Sequence, residues 1–304
     1  MQHISRSSGI LPLNKPKDMT SFQAVSRARK ALNIKKIGHA GTLDPQATGV
    51  LPLAVGSATR LTDYWHMQPK TYDCTITLGW TSTTDDGEGE LLDEHDSSTI
   101  AEEAVKVALP TFLGTIQQLP PMYSALRHDG QRLYDLARKG ITVERTPRDV
   151  VIHGIALTSF TPGVHATIQC TVTCGKGTYM RVLARDLGTL LGTGAYLSAL
   201  TRTSYGPVHL SSCFTLEELM DAPNPLDLLL PPDIAISFLP RLDVPSDIAL
   251  RALQGHDVWV TGIADIPEGE CRVHGPRGEL IALGLLQSTH FTPTKVFSAG
   301  ASAR

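Results

Sequence analysis

Residues 38–51, of sequence GHAGTLDPQATGVL, bring together side chains that could do chemistry. They contain one carboxylate, Asp44, one imidazole, His39, and three glycines in otherwise apolar surroundings. A carboxylate in such a setting can act as a nucleophile, and glycines let the backbone approach a ligand closely. An aspartate before proline is also a common turn device, and a single histidine is more often structural. The segment alone therefore leaves both interpretations open.

Arg181 ends a second segment of interest, residues 175–181, of sequence GKGTYMR. The pattern predicts that a helix begins there, and a cation in the first turn of a helix opposes the helix macrodipole. Such a local conflict is typical of functional positions, although an ordinary surface arginine would give the same pattern. The segment lacks the GxxxxGK[ST] spacing of a P-loop, so we predict no nucleotide cofactor.

Metal and disulfide chemistry find little support in the sequence. The acidic run DDGEGE, residues 85–90, does not follow the ligand spacing of an EF-hand, so we interpret it as an exposed loop with at most incidental Mg²⁺ binding. The five cysteines contain no CxxC pair and fit neither a zinc knuckle nor a disulfide framework. We therefore predict no metal ligands and a reducing cytoplasm as the compartment.

A helix is predicted from Thr20 or Ser21, as N-cap, to about Leu32, because Phe22 and Val25 share one apolar stripe with Leu32. Its polar face is basic. The glycine- and proline-containing residues that follow are typical of a loop leading into a strand.

Alternating apolar and polar residues predict two half-buried strands, at 72–78 and 166–174. The second strand places Cys170 and Cys174 in the core and leads into a helix that continues to residue 191. A proline-rich stretch at 222–245 then indicates a domain junction, followed by short β segments.

The 304 residues, of which 41% are hydrophobic and 19% charged, predict a soluble protein of two domains without a membrane span. The net charge of −3 argues against a protein that coats polyanions. Charge is nevertheless segregated: residues 19–43 hold five Lys/Arg and no acid, whereas residues 71–105 hold ten Asp/Glu and no base. Each run is by itself typical of a solvated face, but a second basic stretch at 127–148 favours an anionic partner.

Residues 38–51 resemble the signature of the TruB family of tRNA pseudouridine-55 synthases, GHxGTLDPxATGVL, at every position. Further segments resemble family elements in the same order, so that the resemblance covers most of residues 9–207. They are Leu13-Asn14-Lys15-Pro16 (LxKP), residues 70–79 (KxYxxxxxLG), residues 122–140 including Ala125 and Arg138 (an RNA-contacting insertion) and residues 175–188 ((S/G)KGTYIRxxxxDLG). Asn14 departs from the aspartate that usually precedes the lysine.

The resemblance implies roles for individual residues. Asp44 matches the catalytic aspartate, which acts as a nucleophile or as a base at the sugar, and Arg181 would pair with it and keep it ionised. Tyr72 would stack on the target base and help to remove its C5 proton. The remaining implied substrate contacts are His39, Leu200, Lys15, Lys176 and Tyr179.

The implied fold is α/β (α+β): a pseudouridine synthase domain at 1–240 with a mixed, mostly antiparallel sheet, and a small β-barrel-like PUA-type domain at 241–304. The insertion would lie at about 122–150. The implied partner is tRNA, bound through its T-loop and T-stem, from which the uridine is flipped out. We expect a monomer that needs no cofactor.

Two other functions fit parts of the pattern. A non-catalytic tRNA-binding or folding protein could keep the same scaffold, but binding alone does not require Asp44, Tyr72 and Arg181 together. An aspartyl-phosphate enzyme would need a DxDx(T/V) motif around Asp44, which the sequence lacks. We therefore favour isomerisation of the T-loop uridine to pseudouridine.

Overall fold

The computed structural model describes residues 8–124, 126–128, 130–137, 139–261 and 265–297. The strands up to residue 209 are β1 Gly9–Lys15, β2 Ile37–His39, β3 Thr48–Val55, β4 Lys70–Leu78, β5 Thr81–Ser82, β6 Leu91–Leu92, β7 Gly114–Gln118, β8 Arg127–His128, β9 Gln131–Arg132, β10 Arg148–Thr161, β11 Thr167–Cys174, β12 Ala195–Tyr205 and β13 Val208–His209. The helices are α1 Ser21–Leu32, α2 Thr62–His66, α3 Glu102–Ala108, α4 Leu133–Ala137, α5 Met180–Leu191 and α6 Leu216–Asp221. Ala125 and Arg138 of the predicted insertion lie outside the described residues.

The main sheet has the strand order β1-β3-β12-β4-β11-β10-β7, with β2 attached to β3 and β13 to β12. Its pairings among the described residues are antiparallel, apart from the parallel contact of β12 with β3. The predicted mixed, mostly antiparallel sheet is confirmed. Because β12 lies between β3 and β4, it joins the segment that carries Asp44 to the strand that carries Tyr72.

Helix α1 begins as its sequence predicts. Thr20 is the N-cap, and its side chain and that of Gln23 form a capping box. The helix buries Ser21, whose hydroxyl is bonded to Leu43, and this contact fixes which side of the helix faces the sheet. The prediction that Phe22 belongs to the buried stripe is wrong, because that side chain is 67% exposed.

The predicted strands at 72–78 and 166–174 are confirmed as β4 and β11, and the predicted helix to residue 191 as α5. One core cluster packs α1, α3 and α5 against the sheet and includes Cys170 and Cys174, in agreement with the sequence. No described helix has the length and apolar character needed to cross a bilayer.

The C-terminal segment folds as β14 Arg241–Asp243, α7 Ser246–Leu253, β15 Val258–Trp259, β16 Gly269–His274, β17 Leu280–Gln287 and β18 His290–Val296. The strand order is β14-β16-β17-β18-β15, which agrees with the predicted small β-rich unit. Residues 262–264 and 298–304 of the predicted domain lie outside the described residues.

Polar and apolar contacts join this second sheet to the first part of the chain. Asp233, which precedes β14 by eight residues, accepts hydrogen bonds from Arg272 (3.1 Å) and His274 (2.9 Å) on β16. The Arg60 guanidinium donates to the Val296 carbonyl at 2.7 Å. A second core cluster contains residues from both sheets, so the two units bury apolar surface against each other.

Candidate active site

Asp44 lies on the loop of residues 40–47 that connects β2 to β3. The hydroxyl of Ser21, at the start of α1, accepts a hydrogen bond from the Leu43 N–H (2.9 Å) and donates one to the Leu43 carbonyl (3.0 Å). The Asp44 carbonyl accepts from the Ala47 N–H at 3.1 Å, which closes a turn. The loop is therefore fixed at Leu43 and Ala47, although 43% of the Asp44 side chain is exposed.

Lys15 lies beneath this loop and is fully buried. Its ammonium donates to the carbonyls of Pro16 (2.8 Å), Met19 (2.7 Å) and Pro45 (3.1 Å). Burial lowers the pKa of Lys15 to about 8, and the charge of Asp44 partly opposes this effect. Because its three donors are used by the backbone, we assign Lys15 to the support of the loop rather than to contact with a substrate.

Arg181, the second residue of α5, reaches Asp44 as the family resemblance implies. Its Nε lies 3.0 Å from Oδ2 of Asp44, and its side chain is 7% exposed. The terminal nitrogens donate to the carbonyls of Thr84 (3.2 Å) and Tyr123 (2.8 Å). These bonds hold the guanidinium in one orientation, with Nε in ion-pair contact with the carboxylate.

A second carboxylate, Asp86, shares Arg181 with Asp44. Its Oδ2 lies 3.5 Å from Nε of Arg181, while Oδ1 accepts from the Thr84 hydroxyl (2.5 Å) and the Glu88 N–H (3.0 Å). The interpretation of residues 85–90 as an exposed loop is wrong for its first two acids: Asp86 is buried, and Asp85 pairs with Arg185 at 3.1 Å. The sequence gives no signal for Asp86, since an acidic glycine-rich run is typical of a solvated turn.

Tyr72 and Leu200 lie on neighbouring strands, β4 and β12, and their registers place Leu200 opposite Cys74 and Arg202 opposite Tyr72. Tyr72 is largely buried, and Leu200 is half-buried against the core. Burial raises the pKa of the Tyr72 hydroxyl, and the charge of Arg202 opposes this effect.

Sequence reasoning overlooked Arg202, a fully buried arginine of β12. Its Nε donates to the Val50 carbonyl (2.6 Å) and its terminal nitrogen to the Gly41 carbonyl (3.2 Å). A signal was present: residues two apart on a strand share a face, so Arg202 must lie on the same side as Leu200.

The remaining predicted contacts are His39, Tyr179 and Lys176, which differ in how far they are buried. His39 ends β2 and is half-buried; burial and then the charge of Arg202 lower its pKa. Tyr179 precedes α5, and its backbone exchanges two hydrogen bonds with the Gln118 side chain (2.9 and 3.2 Å); burial raises the pKa of its hydroxyl. Lys176 is exposed on the turn before α5. The structure thus joins Asp44 directly to Arg181, while Lys176 remains in solvent.

The arrangement suits a reaction in which one solvent-accessible carboxylate is the reacting group. Asp44 presents its side chain to solvent from a fixed loop, and a buried guanidinium fixes its orientation. Positioned carboxylates of this kind act as nucleophiles or as general bases.

Comparison with known protein families matches the chain to two profiles. "TruB family pseudouridylate synthase (N terminal domain)" matches residues 29–180, and "tRNA pseudouridylate synthase B C-terminal domain" matches residues 181–235. Similar proteins include the tRNA pseudouridine synthase B of Dehalococcoides mccartyi, 46% identical over 83% of this chain and 84% of that protein. That of Pseudomonas aeruginosa is 44% identical over 93% of this chain and 94% of that protein.

Solved structures with the same fold include a Cbf5–Nop10–Gar1 complex, with a TM-score of 0.73 and 26% identity over 97% of this chain and 85% of the other. An H/ACA RNP bound to a substrate RNA containing 2′-deoxyuridine gives a TM-score of 0.72 and 25% identity over 95% of this chain and 85% of the other. The similarity extends through both sheets.

Proposed function

Because the chain belongs to the TruB family, whose members isomerise uridine to pseudouridine in tRNA, we propose that its target is the uridine at position 55 of the T-loop and that Asp44 is its catalytic carboxylate. The observation that carries the proposal is the ion pair of Asp44 with buried Arg181 at 3.0 Å. An exposed acid would by itself repel RNA, so a carboxylate held towards solvent by a guanidinium indicates a chemical role.

The isomerisation breaks the N1–C1′ bond, turns the uracil and forms a C5–C1′ bond, without net oxidation or reduction. Asp44 acts at the sugar, either by attack on it or by removal of a proton from it. Arg181 positions that carboxylate, since its other donors are held by Thr84 and Tyr123. The reaction then ends when C5 loses its proton and N1 gains one.

The target uridine must leave the folded T-loop to reach Asp44, which costs a few kcal/mol. We assign the wall of the base site to Tyr72 and Leu200, which occupy one face of the paired strands β4 and β12. We assign His39 to the space that the base leaves in the RNA. In this proposal the buried Tyr72 side chain turns towards solvent when the RNA binds.

RNA binding is proposed to depend on phosphate contacts along α1 and the insertion. Arg27 and Lys30 are exposed on α1, and the helix has no acid in its first turn. Lys176 and Tyr179 extend this surface towards Asp44. Phosphate contacts of this kind make affinity fall as the salt concentration rises. We expect the protein to act as a cytoplasmic monomer without cofactor.

The first test replaces Asp44 by Asn and measures tritium release from a T-loop transcript that carries [5-³H]uridine. We expect loss of release with tRNA binding largely kept, because the substitution removes one charge and no base-site surface. Asp63→Asn, which changes an exposed acid of α2, is the matched control and should leave release unchanged. Undiminished release by the Asp44→Asn protein contradicts the proposal, and absence of release by the unaltered protein favours a non-catalytic tRNA-binding protein.

The second test replaces Arg181 by Met. We expect turnover to fall far more than tRNA affinity, because the guanidinium is buried and faces Asp44 rather than solvent. Single-turnover rates and filter binding measure the two effects separately. Equal losses would instead make Arg181 a phosphate contact.

A further inference from the structure

Arg202 is a buried cation that has no buried anion beside it in the part of the chain that the structure describes. Its side chain is among the largest of the fully buried ones, yet no carboxylate of the described residues lies within 4.0 Å of its guanidinium. Arg181, by contrast, has two carboxylates. Burial of an unneutralised charge is costly, so its presence at this position requires an explanation.

Aromatic rings and backbone carbonyls provide only partial compensation for this charge. The Arg202 guanidinium lies 4.8 Å from the centre of the Tyr205 ring, and the Lys70 ammonium lies 4.6 Å from the same ring. Burial lowers the pKa of Lys70 to about 8, and Arg202 contributes to this shift. The positive potential of Arg202 therefore reaches neighbouring groups.

The hydrogen bonds of Arg202 hold the start of the loop that carries Asp44 and the strand β3 that follows it. Gly41 lies three residues before Asp44 and Val50 six residues after it, and both carbonyls accept from the same guanidinium. Gly49 packs directly on the backbone of Arg202: its φ is +99°, and a Cβ there would lie 2.3 Å from the Arg202 carbonyl oxygen. The arginine and the loop are thus fixed against each other.

The same guanidinium faces Tyr72. The two residues are opposite each other on β4 and β12, and the guanidinium carbon lies 6.0 Å from the centre of the Tyr72 ring. The other titratable groups that act on Tyr72 are Cys174 on β11, Cys74 on its own strand and Tyr205 on β12. The thiols and the Tyr205 phenol are neutral at neutral pH, so among the described residues the fixed charge that faces Tyr72 is that of Arg202.

We propose that Arg202 is a positioning residue of the reaction: it fixes the loop that carries Asp44 and stabilises the Tyr72 phenolate that accepts the C5 proton. This inference rests on the proposed function. Once C5 has bonded to C1′, the C5–H bond breaks, and its electron pair forms the C5=C6 double bond. The C6=N1 pair moves to N1, which takes a proton from water. Tyr72, whose hydroxyl has first given its proton to water, takes the C5 proton and becomes a neutral phenol again.

The test compares Arg202→Gln, which can still donate hydrogen bonds but has no charge, with Arg202→Lys, which keeps the charge. We expect Arg202→Gln to slow pseudouridine formation by about 100-fold. The alkaline limb of the pH–rate profile, where the rate rises as Tyr72 ionises, should move to higher pH by about one unit. Arg202→Lys should keep the limb of the unaltered protein. A transcript with 5-deuterouridine should then give a larger isotope effect with Arg202→Gln, because C5 deprotonation becomes limiting.

A structural role alone predicts a different pattern. Arg272→Gln, which removes another largely buried arginine, should lower stability without moving the pH limb or the isotope effect. In a Tyr72→Phe background, Arg202→Gln should lose its effect on the C5 step, since the two residues act through one proton transfer. Unchanged pH profiles and isotope effects in Arg202→Gln overturn this inference, even though pseudouridine is formed. Absence of pseudouridine from the unaltered protein overturns the proposed function instead.

Discussion

Replacement of Asp86 tests whether Arg181 needs this second carboxylate to keep its orientation towards Asp44. In Asp86→Asn the shape is kept, and Oδ1 can still accept from the Glu88 N–H. The amide group would then place a donor where Oδ2 now faces Nε of Arg181 at 3.5 Å. We expect Arg181 to turn away from Asp44, because one attraction is replaced by the contact of two donors.

The magnitude follows from that distance. Two unit charges 3.5 Å apart interact by about 5 kcal/mol at an effective dielectric constant near 20. Desolvation and relaxation offset more than half of this energy, which leaves a net loss of about 2 kcal/mol for the ion pair. Expressed as a rate, about 2 kcal/mol corresponds to a loss of roughly 30-fold in turnover.

Single-turnover tritium release measures the rate, and filter binding measures tRNA affinity, which should remain unchanged because Asp86 is buried. The matched control is Asp85→Asn in the same loop, which removes the same charge from the partner of Arg185. It should lower stability while changing the rate less than about threefold. Equal rate losses in the two variants, or full activity of Asp86→Asn, would refute the argument that Asp86 orients Arg181.

Two further predictions concern stability. The pKa of Lys15 is about 8 in the folded protein and 10.5 without the fold, so between these values the unfolded chain binds more protons and the free energy of unfolding rises with pH. The free energy of unfolding of the unaltered protein, minus that of the Lys15→Met protein, should rise by up to about 1.4 kcal/mol per pH unit. Urea unfolding at several pH values from 7 to 10 measures it, and a difference that does not change with pH would contradict the prediction. Asp233→Asn leaves Arg272 without its counter-charge, so it should cost about 3 kcal/mol, measured by urea unfolding. A change below about 1 kcal/mol would show that the contact is not a significant anchor.

Local patterns were sufficient to predict the elements that frame the site. The cap at Thr20 and the alternation at 72–78 and 166–174 are short-range signals, and the structure confirms them. The pairing of Asp44 with Arg181 was implied by resemblance, although no local pattern joins two residues so far apart. The conflict of Arg181 with its helix dipole was a further physical signal, and the structure explains it through the two carboxylates beside the guanidinium.

The errors arise where long-range pairing decides burial. Asp86 is buried because its loop packs beside Leu197 and Arg181, and neither contact is visible in an acidic run. Phe22 is exposed because the bond of Ser21 to Leu43 fixes the rotation of α1. In both cases the interpretation would hold for an isolated loop or helix. A contact with a distant segment decides whether the side chain is buried in the folded protein.

The exposure of Asp44 and its fixed position are compatible because the rigidity comes from outside its own side chain. Ser21, Lys15 and Arg202 each bind backbone atoms of the loop, from a helix and two strands of the sheet. The carboxylate can therefore meet a large RNA substrate while its reach is limited to that of one side chain. A loop held only by its own turn would need ordering in each catalytic cycle, and that cost would appear in the barrier. Buried donors beneath an exposed acid therefore serve to position that acid. This role accounts for the two buried cations, Lys15 and Arg202, which donate hydrogen bonds to carbonyls of the loop.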